Sequence, residues 1–434
     1  MQFLLYSAIT EDSIVSHFGA SEYSYFFVLN GFQEVLAELG AVTIIHTPHQ
    51  EVDAIYETCR ERGEDCVFLS FSPPHKAPVD LKCPTVTVFA WEFSNIPTET
   101  WDEDPRNDWR YVFARHGRTI ALSSYTANAV RQAMGDDFPV AAIPVPLWDR
   151  YSVAGRVSPS NEHVREIKVV GTVLDSRFFD FSRFRRQSEI ADTCPPLAPV
   201  TGSIHLDGIV FTSIFNPSDG RKNWIDLVTG FVHAFRDVAD ATLILKMTNN
   251  DIWTFVGPLF SLFSQLSPFK CRIIAMNGFY DLNDYGKLIS ATHIYVNVSH
   301  CEGLCMPLME FMSCGKPAIS PRHTAMEDYI DDSVAFIPHV SLERSTWPQD
   351  PRDLVRTLRY RLDWETIYTA YQDSYRVARD APETYARMSE RAIEKLRGFC
   401  SKAVVRKQLA EFFRLQTTDR PIDMNILQTE CDKK

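Results

Sequence analysis

No stretch of this 434-residue chain reaches the roughly 18 consecutive apolar residues that a helix needs to cross a bilayer. The opening MQFLLYSAIT lacks a cationic start and its apolar run is short, so it reads as a first buried strand and not as a secretion signal. Positive charge is in deficit: 44 Lys and Arg stand against 56 Asp and Glu, for a formal charge of -12. That balance argues against nucleic acid as a partner, while leaving room for a local basic site. No short tandem repeat and no low-complexity tract interrupts the chain. The ten cysteines are scattered. Cys301, Cys305 and Cys314 cluster, but no second Cys or His pair at ligand spacing accompanies them. Buried thiols in a reducing, cytoplasmic setting are expected, with no metal site. No D-x-D metal site is expected either.

What is present is an ordinary globular composition, 45% hydrophobic and 23% charged. The length exceeds a single core and points to two domains. In SEYSYFFVLNGFQEVLAELG, Tyr25, Val28, Leu29, Phe32, Val35, Leu36 and Leu39 recur at helical steps, and Gly40 marks the end. FLLYS before it and AVTIIHT, CVFLSF, TVTVFAW, TIALSS and VAAIPV after it read as strands, so residues 1–148 form an open α/β domain. Residues 149–204 are mixed in charge and rich in Pro and Ser, and read as a linker with an irregular insertion. The alternation resumes over 205–395 with IVFTSIF, the helix NWIDLVTGFVHAFRDV, TLILKM, RIIAMN, the helix LNDYGKLISA and HIYVNVS. The tail from about 351 to 415 reads as mostly helical. Ligands of two such sheets bind at the carboxyl ends of their strands, facing the cleft between domains.

Two constellations fall at such ends. CEGLCMPLMEFMSCGKP follows HIYVNVS. Pro307 suits the first helical turn, while Gly315 and Pro317 suit its end. Glu302 then lies in the loop and Glu310 about one turn into the helix. The helix start between them offers free N–H groups to an anion, and acceptor-only carboxylates beside an anion site suit sugar or ribose hydroxyls. Upstream, FNPSDGRKNW follows the first strand of the second half. Arg221 and Lys222 are expected at a helix start, against the dipole preference for cations, which points to a bound anion such as a diphosphate.

These residues resemble the donor domain of family 4 glycosyltransferases, whose pattern E-G-F-G-x-P-x-x-E-A-M-A-x-G-x-P is matched here by EGLCMPLMEFMSCGKP. Leu304, Cys305 and Phe311 replace the usual Phe, Gly and Ala. The resemblance implies the GT-B architecture: two Rossmann-like open parallel-sheet domains facing a cleft, with a C-terminal helix, here within 396–434, crossing back to the first. It implies a retaining, metal-independent transfer of a hexose from a nucleotide-diphosphate sugar to a saccharide or glycolipid acceptor, in polysaccharide or glycan assembly. It needs no cofactor beyond the donor. By the same resemblance Glu310 would hold the ribose, Glu302 the donor sugar, and Lys222 with Arg221 the diphosphate. Gly303, Leu304, Cys305 and Met306 would line the donor, and Gly278 and Phe279 would frame the base. The family often has a further arginine after the first donor-domain strand; Phe215 and Asn216 stand there instead. In the first half, the Gly-loop carrying Gly19 would face the donor, and Trp91 and Glu92 would sit at a strand end among acceptor or catalytic groups. A phosphorylase or epimerase on the same fold and a non-catalytic sugar binder are the alternatives. KAVVRKQLAEFFRL is basic and amphipathic. It suits either peripheral contact with anionic lipid at the inner membrane or packing on the first domain, and the resemblance favours packing.

Overall fold

A computed structural model describes residues 1–20, 22–152, 165–178, 200–251 and 253–415. The first sheet holds β1 (Gln2–Tyr6), β2 (Ala41–Ile44), β3 (Cys66–Phe71), β4 (Thr85–Phe89), β5 (Thr119–Ala121) and β6 (Val140–Ala142). Their order is β2-β1-β3-β4-β5-β6, parallel throughout. Every residue of β3 and β4 is buried, as befits apolar strands covered by helices on both faces. The helix Tyr23–Leu36 buries the expected stripe of Tyr25, Val28, Leu29, Phe32, Val35 and Leu36. It ends at Leu36, a turn before the glycine read as its stop.

The second sheet contains β7 (Arg165–Asp175), β8 (Val200–Leu206), β9 (Ile209–Phe215), β10 (Ala241–Met247), β11 (Arg272–Asn277), β12 (Ile294–Val296), β13 (Ala318–Ile319) and β14 (Ala335–Phe336). Their order is β14-β13-β12-β9-β10-β11-β7-β8. Strands β9 to β14 are parallel, and β7 and β8 add an antiparallel edge. The winding direction reverses between β1 and β3 in one sheet and between β9 and β12 in the other. Loops leaving those strands diverge there and open a crevice.

Two expectations are corrected. The stretch 149–204, read as irregular, supplies β7 and most of β8. Ile167 and Val169 are buried between exposed Glu166 and Lys168, the period-2 pattern of an edge strand; residues 153–164 and 179–199 lie outside the described residues. The tail is less helical than expected at its start. β15 (Val340–Thr346) and β16 (Arg356–Leu362) form a separate antiparallel hairpin before the helices Trp364–Asp380, Pro382–Cys400 and Lys402–Phe413. This hairpin bridges the domains. Trp347 packs 5.5 Å from Trp91, Arg352 lies 4.4 Å from the Trp101 ring centre, and Asn95 Nδ2 donates to Arg356 O at 3.0 Å.

The last helix packs on the first domain. Val405, Leu409 and Phe413 are buried, and Phe413 meets Phe3 of β1 at 5.3 Å. Lys402 pairs with Glu34 at 2.6 Å and Arg406 with Glu38 at 3.4 Å. The helix thus places Val405, Leu409 and Phe413 against β1 and the helix Tyr23–Leu36, with Val404 and Phe412 half-buried at its flank. Among the described residues no helix is long and apolar enough to cross a membrane.

Candidate functional site

The loop after β9 is built by Asp219, whose carboxylate caps the 3-10 turn Gly220–Lys222 by accepting from Arg221 N at 3.1 Å. Arg221 also grips Asp219 through two side-chain bonds of 3.0 and 2.6 Å, and its other nitrogen pairs with Glu92, just past the end of β4 in the opposite domain. Lys222 Nζ donates to Glu302 at 2.6 Å. His300 N donates to Arg221 O at 2.8 Å, tying this loop to the one after β12. Neither cation sits at a helix start: the helix begins at Trp224, after Asn223 in the left-handed region at φ 50. The expected mismatch between cation and dipole therefore does not arise, and Glu92, Asp219 and Glu302 already supply counter-charge.

Burial alone would discharge this cluster; its mutual pairing opposes that. Burial pushes the Glu92 carboxyl up, with Arg221 pulling against it. Burial pulls Lys222 down, but Glu302 and Asp219 outweigh it and the net direction is up. The Arg221 guanidinium is likewise held protonated by Glu92 and Asp219 against its burial. Two cations and three carboxylates leave the cluster without excess positive charge, so an anion arriving here must displace a carboxylate from its cation.

Past β12, Asn297 is buried with its Nδ2 lacking a protein partner. Glu302 N donates to Thr324 Oγ1 at 3.1 Å and Leu304 O accepts from Tyr329 at 2.7 Å. Gly303 abuts the other domain: a Cβ there would lie 2.9 Å from Ala90 Cβ and 3.1 Å from Trp91 N. Cys305 adopts φ 62, ψ 59, the left-handed conformation in which glycine is free and a side chain is strained. Burial and then Glu302 push its thiol well above the usual range. The helix Met306–Ser313 follows, with Pro307 in its first turn. It carries Glu310, buried, with its carboxylate accepting from Tyr285 and Tyr151. Burial pushes Glu310 up to about 7 despite those donors and nearby Arg150.

Residues from both domains close a cleft of about 1840 Å³. Glu92, Arg221, Lys222, Glu302, Gly303, Leu304, Cys305, Met306, Glu310, Phe279 and Gly19 all line it. Gly278 stands just behind the wall, its carbonyl accepting from Lys246 at 2.6 Å. Gly19, at φ 84, docks the first-domain loop on the second domain: its carbonyl accepts from Asn216 Nδ2 at 2.8 Å, and a Cβ would lie 2.4 Å from Thr248 O. Trp91 is buried among Phe93, Trp109 and Trp347, so its ring is core, and the residue also borders the cleft.

Sequence reasoning missed Arg150, Tyr151, Tyr285 and Lys246, and reads Asp219 only as a turn residue, which it is, without its grip on Arg221. Only Lys246 left a signal, as a charge inside the apolar strand TLILKM. One D-x-D triplet does occur, contrary to expectation: Asp102-Glu103-Asp104. It lies in a turn closed by the Trp101–Asp104 bridge, with Asp104 held in a bidentate grip by Arg106. Among the described residues no group of three or more His, Cys, Asp or Glu could hold a metal ion.

Searches of known proteins add the fold. HepE of Anabaena, crystallised with UDP and glucose, superposes with a TM-score of 0.54 at 14% identity, covering 95% of this chain and 99% of that one. The chain has the GT-B fold. Other structures of similar fold include a glycosyltransferase from Rickettsia africae (TM-score 0.54, 12% identity, 95% and 97% covered) and sucrose-phosphate synthase from Thermosynechococcus elongatus (0.53, 12%, 95% and 98%). In sequence, the chain is 24% identical over 225 residues to a protein of Sulfolobus islandicus filamentous virus provisionally named glycosyltransferase 48. That match covers 49% of this GT-B chain and 66% of the viral protein, just under two thirds of its length. No family model matches.

Proposed function

We propose that this chain is a retaining glycosyltransferase of family 4 type, moving a hexose from a nucleotide-diphosphate sugar to a saccharide or glycolipid acceptor without a metal ion. One observation carries the reading. The Lys222–Glu302 pair and the buried Glu310 are held at the switch point of the second sheet, across the cleft from Glu92. The fold likeness to HepE, crystallised with UDP and glucose, supports it.

In this reading the donor diphosphate takes Lys222 from Glu302, and the released Glu302 carboxylate accepts from a hydroxyl of the donor sugar. Glu310 accepts from the ribose in place of a tyrosine. As the bond from the anomeric carbon to the diphosphate oxygen breaks, charge grows on the leaving group. Lys222, Arg221 and the N–H groups opening Met306–Ser313 stabilise it as fixed donors. The acceptor oxygen bonds to the anomeric carbon on the face just vacated, and its proton passes to the departing phosphate. Glu92 positions Arg221.

A thermal-shift screen of nucleotide sugars tests the binding half: a ligand at 100 times its Kd stabilises by about 2.7 kcal/mol. NMR of the product tests the rest, with the donor's anomeric configuration expected and EDTA without effect. An inverted anomer sinks the retaining mechanism, and activity restored only by magnesium sinks the metal-free one. Phosphorolysis or hydrolysis of the donor, with no transfer to any acceptor, would leave the phosphorylase or epimerase alternative.

A further inference from the structure

Lys246 is 4% exposed at the carboxyl end of β10, and among the described residues no carboxylate pairs with it. An ammonium so placed is costly unless something in the site uses it. Its Nζ donates to Gly278 O at 2.6 Å and Met247 O at 3.3 Å. An ammonium has three N–H groups, so one is left over. Aromatic faces enclose the amine: the Phe18 ring centre lies at 5.2 Å and that of Tyr280 at 5.0 Å. Phe279 stands beside them, 37% exposed and 6.4 Å from Phe18. Lys246, Phe18, Phe279 and Tyr280 all line the cleft. These rings and the amine form one corner of the cleft, with an N–H donor among aromatic faces, set apart from the Lys222–Glu302 pair on the loop after β9. Burial pulls the Lys246 pKa down to about 7, consistent with a cation that has no counter-charge.

We propose that Lys246 selects the donor's nucleobase, favouring bases with a carbonyl at the edge away from the ribose over bases with an amino group there. Uracil (O4) and guanine (O6) present an acceptor to the free N–H; cytosine and adenine present an N–H₂ donor to a donor. Below pH 7, where the amine is mostly protonated, discrimination of this kind is steep because a mismatched base sets a donor against a donor. The inference rests on the nucleotide-sugar reading above.

Calorimetric titration of UDP, CDP, GDP and ADP into wild type, Lys246→Met and Lys246→Gln tests it. Wild type is expected to bind the keto member at least tenfold tighter in the pair it accepts, UDP over CDP or GDP over ADP. Lys246→Met, apolar and similar in length, should keep the melting temperature and bring that ratio within threefold. Lys246→Gln, which can donate or accept, should also lose the ratio while holding the amino-bearing base at least as well as wild type does. An unchanged ratio in Lys246→Met overturns the proposal, as does an equal loss for both members. A loss seen with UDP that vanishes with UMP also overturns it, assigning the lysine to phosphate. A wild type that binds none of the four overturns the transferase reading itself.

Discussion

Glu310→Gln replaces a buried carboxyl by a neutral group of the same shape. Burial raises the Glu310 pKa from 4.5 to about 7, so the folded chain favours the neutral acid. A group raised in this way contributes its stability below the unfolded pKa and loses it as pH climbs through the folded one. At about 1.36 kcal/mol per pKa unit, keeping this carboxyl in the fold costs, relative to the unfolded chain, about 1 kcal/mol at pH 5 and about 3 kcal/mol at pH 8. The substituted amide carries no such cost, and it can still meet Tyr285 and Tyr151. The variant is therefore expected to be slightly more stable than wild type at pH 5 and clearly more stable at pH 8. At about 2–4 °C per kcal/mol for a domain of this size, the difference in melting temperature at pH 8 is about 6–12 °C. Paired thermal melts across pH 5 to 8 without nucleotide measure it. A variant less stable than wild type by the same margin at every pH would falsify the argument, since Glu310 would then be ionised and stabilised by its donors throughout. Above pH 7, where Glu310 is mostly ionised, the same variant should lose nucleotide affinity, because an amide oxygen is a weaker acceptor for ribose hydroxyls than a carboxylate.

Lys222→Ala should lower kcat more than it raises KM, since its charge serves the departing diphosphate; unchanged turnover would leave the Lys222–Glu302 pair purely structural. Glu92→Ala strips the buried Arg221 of one counter-charge and should destabilise by about 3–5 kcal/mol in denaturant melts, with Glu92→Gln costing less; a loss under about 1 kcal/mol would show that Asp219 alone suffices. Gly303→Ala drives a methyl into Ala90, so kcat should fall and small-angle scattering show a more open molecule while each domain stays folded; wild-type activity would mean the cleft need not close there. Deleting residues 399–434 should lower the melting temperature and abolish activity on a soluble acceptor. A truncated protein that kept both but no longer pelleted with anionic vesicles would overturn the packing reading of the last helix.

Legibility followed the range of the interaction. The stripe on Tyr23–Leu36 and the buried run of β3 are local patterns, and both stood in the sequence. Glu302 and Glu310 were visible because strand, loop, proline and glycine frame them within one short segment. The partnership of Arg221 with Glu92 was not, because it joins loops of different domains and leaves no spacing to read. The same holds for Tyr151 and Tyr285 on Glu310, which come from two further elements. β7 was hidden by the Pro- and Ser-rich stretch beside it, although Ile167 and Val169 alternate with Glu166 and Lys168. Cys305 was legible as a departure from the glycine of the pattern it resembles; its left-handed backbone is one that glycine adopts freely.

The seating of Phe413 against Phe3 has a consequence for how the protein is born. On the ribosome β1 emerges about 400 residues ahead of the helix that covers it, so the amino-terminal half waits, incomplete and with a greasy face bare, until that helix has been made. Between those moments that face is open to chaperones or to a neighbouring nascent chain. A gene cut between the two halves should yield an amino-terminal piece that aggregates, and one that is rescued when the missing helix is supplied as a separate peptide.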